Sequence, residues 1–284
     1  MSSVADLEVL LTDRVFGESA RWHGDRLWFS DWGTQEIVTV GLDGRSEVAA
    51  VVPGAFPFCF DWRPDGQLLV VAGREARLLA GKPDGSLDTL ADLSGLASVW
   101  NEIVVDGRGN SYVNGSSMDF ARGEFPPGIV ALVTPGGEVR QVADGIAFGN
   151  GMAVTPDNST LIVAESHGRR LTAFDIAADG SLSGRRVWAD LGEGTPDGIC
   201  LDAQGCVWYA DVPNQWCARV REGGEVLATL RHDRACYSCT LGGPDGRTLL
   251  AVAARYRGMQ EMPGPGRSGQ VVMAAAPCAR AGYP

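Results

Sequence analysis

Two stretches of the chain set an oxygen-bearing side chain directly before a glycine and then repeat one pattern. In FGNGMAVTPDNSTLIVAES (148–166) Asn150 precedes Gly151, and in TPDGICLDAQGCVWYAD (195–211) Asp197 precedes Gly198. An apolar run, a turn and a second apolar run follow in both. Aligning the rest of the chain on this pattern, with one-residue slips in the first and fourth units, puts Glu18, Phe58, Asn101 and Ser238 at the equivalent point. Five of these six residues carry a side-chain oxygen, and two are carboxylates. Such oxygens are hard donors, suited to Ca²⁺, Mg²⁺ or Mn²⁺ and usable by Zn²⁺ or Fe²⁺. No His occupies any of the positions. Short polar residues also make good turns at strand starts. That accounts for Asn101, Asn150 and Ser238, but poorly for Glu18. Two carboxylates brought together in a narrow space repel, and a buried unpaired charge is costly. One bound divalent metal ion would remove that cost.

These residues meet only if the repeat closes on itself. Six segments share the plan: ESARWHGDRLWFSD (18–31), CFDWRPDGQLLVVA (59–72), EIVVDGRGNSYVNG (102–115), GMAVTPDNSTLIVAE (151–165), GICLDAQGCVWYAD (198–211) and CTLGGPDGRTLLAVA (239–253). Their starts lie 41 to 49 residues apart, the size of a four-stranded propeller blade. D-G turns between β-rich runs signal hairpins. No stretch has a helical period that beats its period of two. The expected fold is therefore all-β: one domain over residues 1–284, a six-bladed β-propeller with four-stranded blades. LEVLLTD (7–13) and GQVVMAA (269–275) are expected to pair and close the ring. SSMDFARGEFPPG (116–128) is expected to loop over one face, and CARAGYP (278–284) to fray. In such a ring the six aligned residues converge at one mouth of the central channel.

FGES with Glu18, NEIVVD with Asn101, NGMAVTPD with Asn150 and PDGICLD with Asp197 resemble motifs of the gluconolactonase/senescence marker protein (regucalcin)/luciferin-regenerating family. TLIVAES and CTLGGPDGRTLL are similar to it as well, and the resemblance spans residues 7 to 275. It implies one divalent metal ion in the channel on Glu18, Asn150 and Asp197, and Asn101 beside the substrate. It also implies lactonase activity. A metal can acidify bound water and polarise a carbonyl. Asp197 is then the expected base, so Asp197 and Asn101 are the expected catalytic residues. No G-x-S-x-G elbow occurs and no Ser-based triad is legible.

Sugar-lactone members of that family carry an Arg just before the substrate Asn. Here Val99 and Trp100 fill that stretch. With Phe58, Phe148 and Tyr237 near the mouth, Trp100 suggests a wall of apolar and aromatic substrate contacts. The expected partner is a small-molecule lactone or ester less polar than a sugar lactone. Two alternatives stand beside this reading: a propeller enzyme of strictosidine-synthase type, and a calcium- or ligand-binding propeller without turnover.

A formal charge of −11 argues against nucleic acid and anionic membrane as partners. The N-terminus lacks a basic leader region and no apolar run reaches spanning length, so a cytoplasmic protein is expected. The seven Cys read as reduced residues half-buried in strands, with Cys236-x-x-Cys239 too isolated for zinc. His23 and His167 read as solvated loop residues, while His232 could approach the mouth. Asp31, Asp61 and Asp211 read as turn or backbone anchors, Glu165 as structural, and the Arg pairs of 169–170 and 185–186 as a solvated strand face.

Overall fold

The computed structural model describes residues 2–3, 7–117, 122–123, 125–258, 261–264 and 266–284. Strands form six sheets around a central channel. The innermost strands are Gly17–His23, Phe58–Trp62, Val99–Val105, Gly149–Val154, Pro196–Asp202 and Ala235–Gly242, of blades 1 to 6. Each lies against the innermost strand of the next blade, and the sixth against the first. The ring is closed as expected: Glu8–Arg14 pairs antiparallel with Gly269–Ala275 and forms the outer strand of blade 6.

The apolar runs of the repeat follow from this architecture. In Val207–Asp211, the second strand of blade 5, Val207 and Tyr209 face blade 4, and Trp208 and Ala210 face blade 6. Side chains alternate between the faces of a strand, and here both faces are covered. A continuous apolar run is the result. Outer strands lose this cover, and Ser46–Val51 is largely exposed. The core is thus divided into layers between neighbouring blades, such as the one around Trp100 between blades 2 and 3. All seven cysteines are free and buried more deeply than expected. Cys200, Cys217, Cys236 and Cys239 pack together between blades 5 and 6.

The tail does not fray. Arg280–Ala281 adds a short strand beside Pro196–Asp202. Tyr283 exchanges backbone hydrogen bonds with Val154 at 2.8 and 2.9 Å. Arg280 donates to the Trp22 carbonyl. All these partners lie at the far ends of inner strands, so the tail crosses the lower mouth of the channel. The 116–128 segment lies partly outside the described residues, but its Phe125 ring reaches Phe148 and His167 near the upper mouth.

Candidate active site

The inner strands do not pair regularly with their neighbours. Register shifts fall between Glu18 and Arg21, Trp100 and Glu102, Gly149 and Met152, Pro196 and Ile199, and Cys236 and Ser238. An irregularity of this kind re-aims a side chain out of the pleat. Asn101, Asn150, Asp197 and Tyr237 fall inside these gaps, Glu18 is the last residue paired before its own gap, opposite Ser30, and all five line one cavity of about 570 Å³ at the upper mouth. Blade 2 pairs without a shift. Its residue, Phe58, stays in the sheet and is fully buried between blades.

The glycines after Asn150 and Asp197 have a separate reason. A Cβ on Gly151 would sit 2.5 Å from the Ile199 nitrogen of the next blade. One on Gly198 would collide with Ser238, at 2.7 Å from its Cα. Side-chain-free backbone lets neighbouring inner strands approach closely enough to bring the two oxygen donors into one site.

A second device fixes the start of three inner strands. Asp31 ends the second strand of blade 1 and accepts from Phe16 N at 3.0 Å and Val15 N at 3.2 Å. Glu165 in blade 4 accepts from Ala147 N at 2.7 Å, and Asp211 in blade 5 from Thr195 N at 2.9 Å. Each bond clamps the chain two or three residues before Glu18, Asn150 and Asp197 respectively. These are the three blades whose residues form the expected metal set. Arg170 and Arg185 are not simply a solvated face, because both bond to Glu165.

Asn101 Nδ2 donates to Asn150 Oδ1 at 3.1 Å and to the Gly149 carbonyl at 3.2 Å. Asn150 Nδ2 in turn donates to Ser166 Oγ at 3.3 Å, and Asn114 donates to the Asn150 carbonyl. Glu18 and Asp197 are only 6% and 7% exposed. Glu18 accepts a bond from Ser19 N at 3.2 Å, and Asp197 Oδ1 is buried without a hydrogen-bond partner. Burial, and then the charge of Asp197, pushes Glu18 well above the usual carboxylate range. Burial, and then Glu102, does the same to Asp197.

One layer deeper lies a network that inspection of the repeat missed. Arg21 donates to Glu102 at 2.9 Å and approaches Asp61 at 4.0 Å. Four carboxylates (Glu18, Asp61, Glu102 and Asp197) therefore share the channel with one guanidinium, Arg21. The excess negative charge and the orphaned oxygen fit a divalent cation held by Glu18, Asn150 and Asp197. Among the described residues no group of three or more His, Cys, Asp or Glu is arranged to hold a metal. The donor set here is two carboxylates and an amide.

The expected substrate contacts divide. Phe148 and Tyr237 line the cavity, and the Tyr237 hydroxyl is buried without a partner. Phe58 and Trp100 do not: both pack in the layers between blades. A regular pleat turns Phe58 sideways. Trp100, just before the shift at Asn101, covers Gly115. The Phe58 carbonyl contributes indirectly, accepting from the Trp32 indole at 2.6 Å.

Trp32 belongs to a set the aligned positions could not show. The inner two strands of a blade are antiparallel, so the second ends at the mouth where the first begins. Residues just past the second strand form an outer ring: Trp32, Arg74, Ser166 with His167, Val212 with Pro213, and Tyr256. His167 is therefore a wall residue, stacked on Phe148 at 4.6 Å, and burial lowers its pKa. His232 is absent from the cavity and accepts from Arg234 N. His23 is stacked on Trp62 at 4.1 Å, at the opposite end of its strand from Glu18.

Comparison with known proteins gives the family of the chain. The family model described as SMP-30/Gluconolactonase/LRE-like region matches residues 16–255. The chain belongs to this family. A pentonolactonase, XacC, of Haloferax volcanii is 26% identical over 262 residues, covering 87% of this chain and 84% of that protein. The chain spans less than half the length of several other curated relatives it matches. A regucalcin of Xenopus laevis is 32% identical over 39% of each chain, and a 6-deoxy-6-sulfogluconolactonase of Pseudomonas putida is 26% identical over 40% of each. Among solved structures, a luciferin-regenerating enzyme superposes with a TM-score of 0.82 at 18% identity, over 98% of both chains. At that identity the likeness shows the fold. The described residues contain no helix long and apolar enough to cross a membrane.

Proposed function

We propose that the protein is a metal-dependent hydrolase that opens a lactone ring less polar than a sugar lactone. The observation that carries this is the pair of buried carboxylates, Glu18 and Asp197, at the floor of an open cavity, neither of them ion-paired with a Lys or Arg among the described residues. Lactonase names among the relatives support the reaction class.

Glu18, Asn150 and Asp197 would hold the divalent ion. When bound, it supplies Lewis acidity toward the substrate carbonyl and acidifies water. The rest is the work of the chain. Asp197 Oδ1, without a hydrogen-bond partner of its own, accepts a proton from the attacking water. Water oxygen bonds to the carbonyl carbon, and the ring C–O bond breaks. The proton passes to the departing alkoxide, giving a hydroxy acid. In this reading the Tyr237 hydroxyl would donate to a substrate oxygen and the Asn101 Oδ1 would accept from a substrate hydroxyl or from water, both residues lining the cavity. Trp32, Phe56, Phe148, Tyr256 and Met262 form the apolar wall that excludes bulk water and favours an apolar substrate body.

The test is to purify the protein, chelate it, and follow proton release from a panel of lactones as single divalent metals are restored. Metal-restored turnover that disappears in Asp197→Asn is expected, with hydrophobic lactones ahead of gluconolactone. Turnover indifferent to chelation would point to a metal-free propeller enzyme. Tight metal binding without turnover would point to a binding protein. A strong preference for gluconolactone would overturn the apolar substrate.

A further inference from the structure

Arg74 is the blade 2 member of the outer ring, and among the described residues it is the one Lys or Arg lining the cavity. It is exposed, and no described carboxylate is within ion-pair range of it; its guanidinium lies 5.1 Å above the Phe56 ring. Arg14 is paired with Asp31 and Glu36, Arg21 with Glu102, and Arg170 and Arg185 with Glu165. Arg74 is thus held over an aromatic face at the rim, with its in-plane N–H donors unused. A planar fork of this kind matches a carboxylate in bidentate fashion.

The charges of the cavity are separated by depth. Glu18 and Asp197 lie at the floor, on inner strands, and Arg74 lies on the outer ring. An anionic group is repelled from the floor and drawn to the rim, so it would orient a ligand along the cavity. The cavity, about 570 Å³, has room for a lactone ring at the floor, an apolar body against Phe56, Trp32 and Tyr256, and a carboxylate at the rim.

We infer that the substrate is a carboxylate-bearing lactone, in which an apolar or aromatic body separates the ring from an acidic group, and that Arg74 selects it. This rests on the lactonase reading above and narrows it to one substrate class. The product would be a hydroxy dicarboxylate.

Two paired measurements test it. In the first, γ-(4-carboxyphenyl)-γ-butyrolactone and its methyl ester are compared as substrates of the metal-loaded protein. The acid should show a kcat/KM about two- to fivefold higher, as an ion pair at a solvated rim provides. Arg74→Gln should erase that preference by lowering kcat/KM for the acid more than for the ester, and Arg74→Lys should retain part of it. In the second, 3-(4-carboxyphenyl)cyclopentanone and its ester, neither of which can be hydrolysed, are titrated calorimetrically into wild type and Arg74→Gln. Tighter binding of the acid, lost in the variant, supports the anion anchor even if no lactone turns over. In that event it is the hydrolase reading that fails. Equal affinity for acid and ester, or equal loss of both in Arg74→Gln, overturns the role of Arg74 whatever the turnover.

Discussion

At the scale of the residue, the site is an arrangement of unfavourable charges. Glu18 and Asp197 are buried close enough to raise each other's energy, over a deeper layer in which Arg21 serves both Glu102 and Asp61. Removing one carboxylate should therefore separate stability from function. At pH 8, Glu18→Gln should melt above the chelated wild type, because a buried repulsion is gone. It should also lose the rise in Tm that saturating divalent metal gives the wild type, about 5–10 °C if the metal is present at about a hundredfold its Kd. Thermal unfolding with and without metal reads both effects. Asp61 gives a pH prediction of its own. Burial raises its pKa from 3.8 to about 6, against the opposing pull of Arg21. The folded protein then holds this proton more tightly than the unfolded chain does. Its contribution to stability is full below about pH 4 and declines as pH rises to about 6, by about 3 kcal/mol. Asp61→Asn should flatten that slope in unfolding curves of the chelated protein taken from pH 4 to 7. A slope unchanged by the substitution would contradict the assignment.

At the scale of the element, five of the six inner strands carry a register shift at the mouth, and three of these also carry an acidic clamp that fixes where the strand begins. The clamps on Asp31, Glu165 and Asp211 coincide with the blades that carry Glu18, Asn150 and Asp197. Asp31→Asn keeps the shape but gives up acceptor capacity toward Phe16 N, Val15 N and Arg14. It should cost about 1–3 kcal/mol and weaken metal binding about tenfold, as loss of an orienting contact behind a ligand does. Metal titration beside a denaturation curve separates the two. Gly198→Ala pushes a methyl into Ser238. We expect a loss of about 1–3 kcal/mol from overpacking, together with a fall in metal affinity as the inner strands of blades 5 and 6 separate.

At the scale of the whole molecule, the ring is held shut at one blade and stopped at one mouth. Glu8–Arg14 completes blade 6. Deleting residues 2–14 should leave an open sheet edge and abolish a single cooperative unfolding transition. The tail closes the lower mouth through backbone bonds of Tyr283 and Arg280 to blades 4 and 6. Deleting 279–284 should lower Tm by a few degrees, yet change turnover less than twofold, because the catalytic floor belongs to the upper mouth. A large loss of activity in that deletion would mean that the two mouths are coupled.

The repeat was legible in the chain because a propeller blade is a local object. Its hairpin turns, its doubly covered second strand and its 41- to 49-residue spacing all leave a mark on the order of residues. Glu18, Asn101, Asn150, Asp197, Phe148 and Tyr237 could be placed at one mouth for the same reason. The misplacements of Phe58 and Trp100 have one cause: strand position alone does not say whether a register shift turns a side chain inward. Arg21, Glu102 and Asp61 went unseen as a network because they meet from three different blades. Arg74, Trp32 and His167 were hidden because the second strands return to the mouth where the first begin. Local patterning, then, set the number of blades and the chemistry each could offer. Closure of the ring decided which oxygens and rings face one another, because those neighbours are tens to hundreds of residues apart and only packing brings them together.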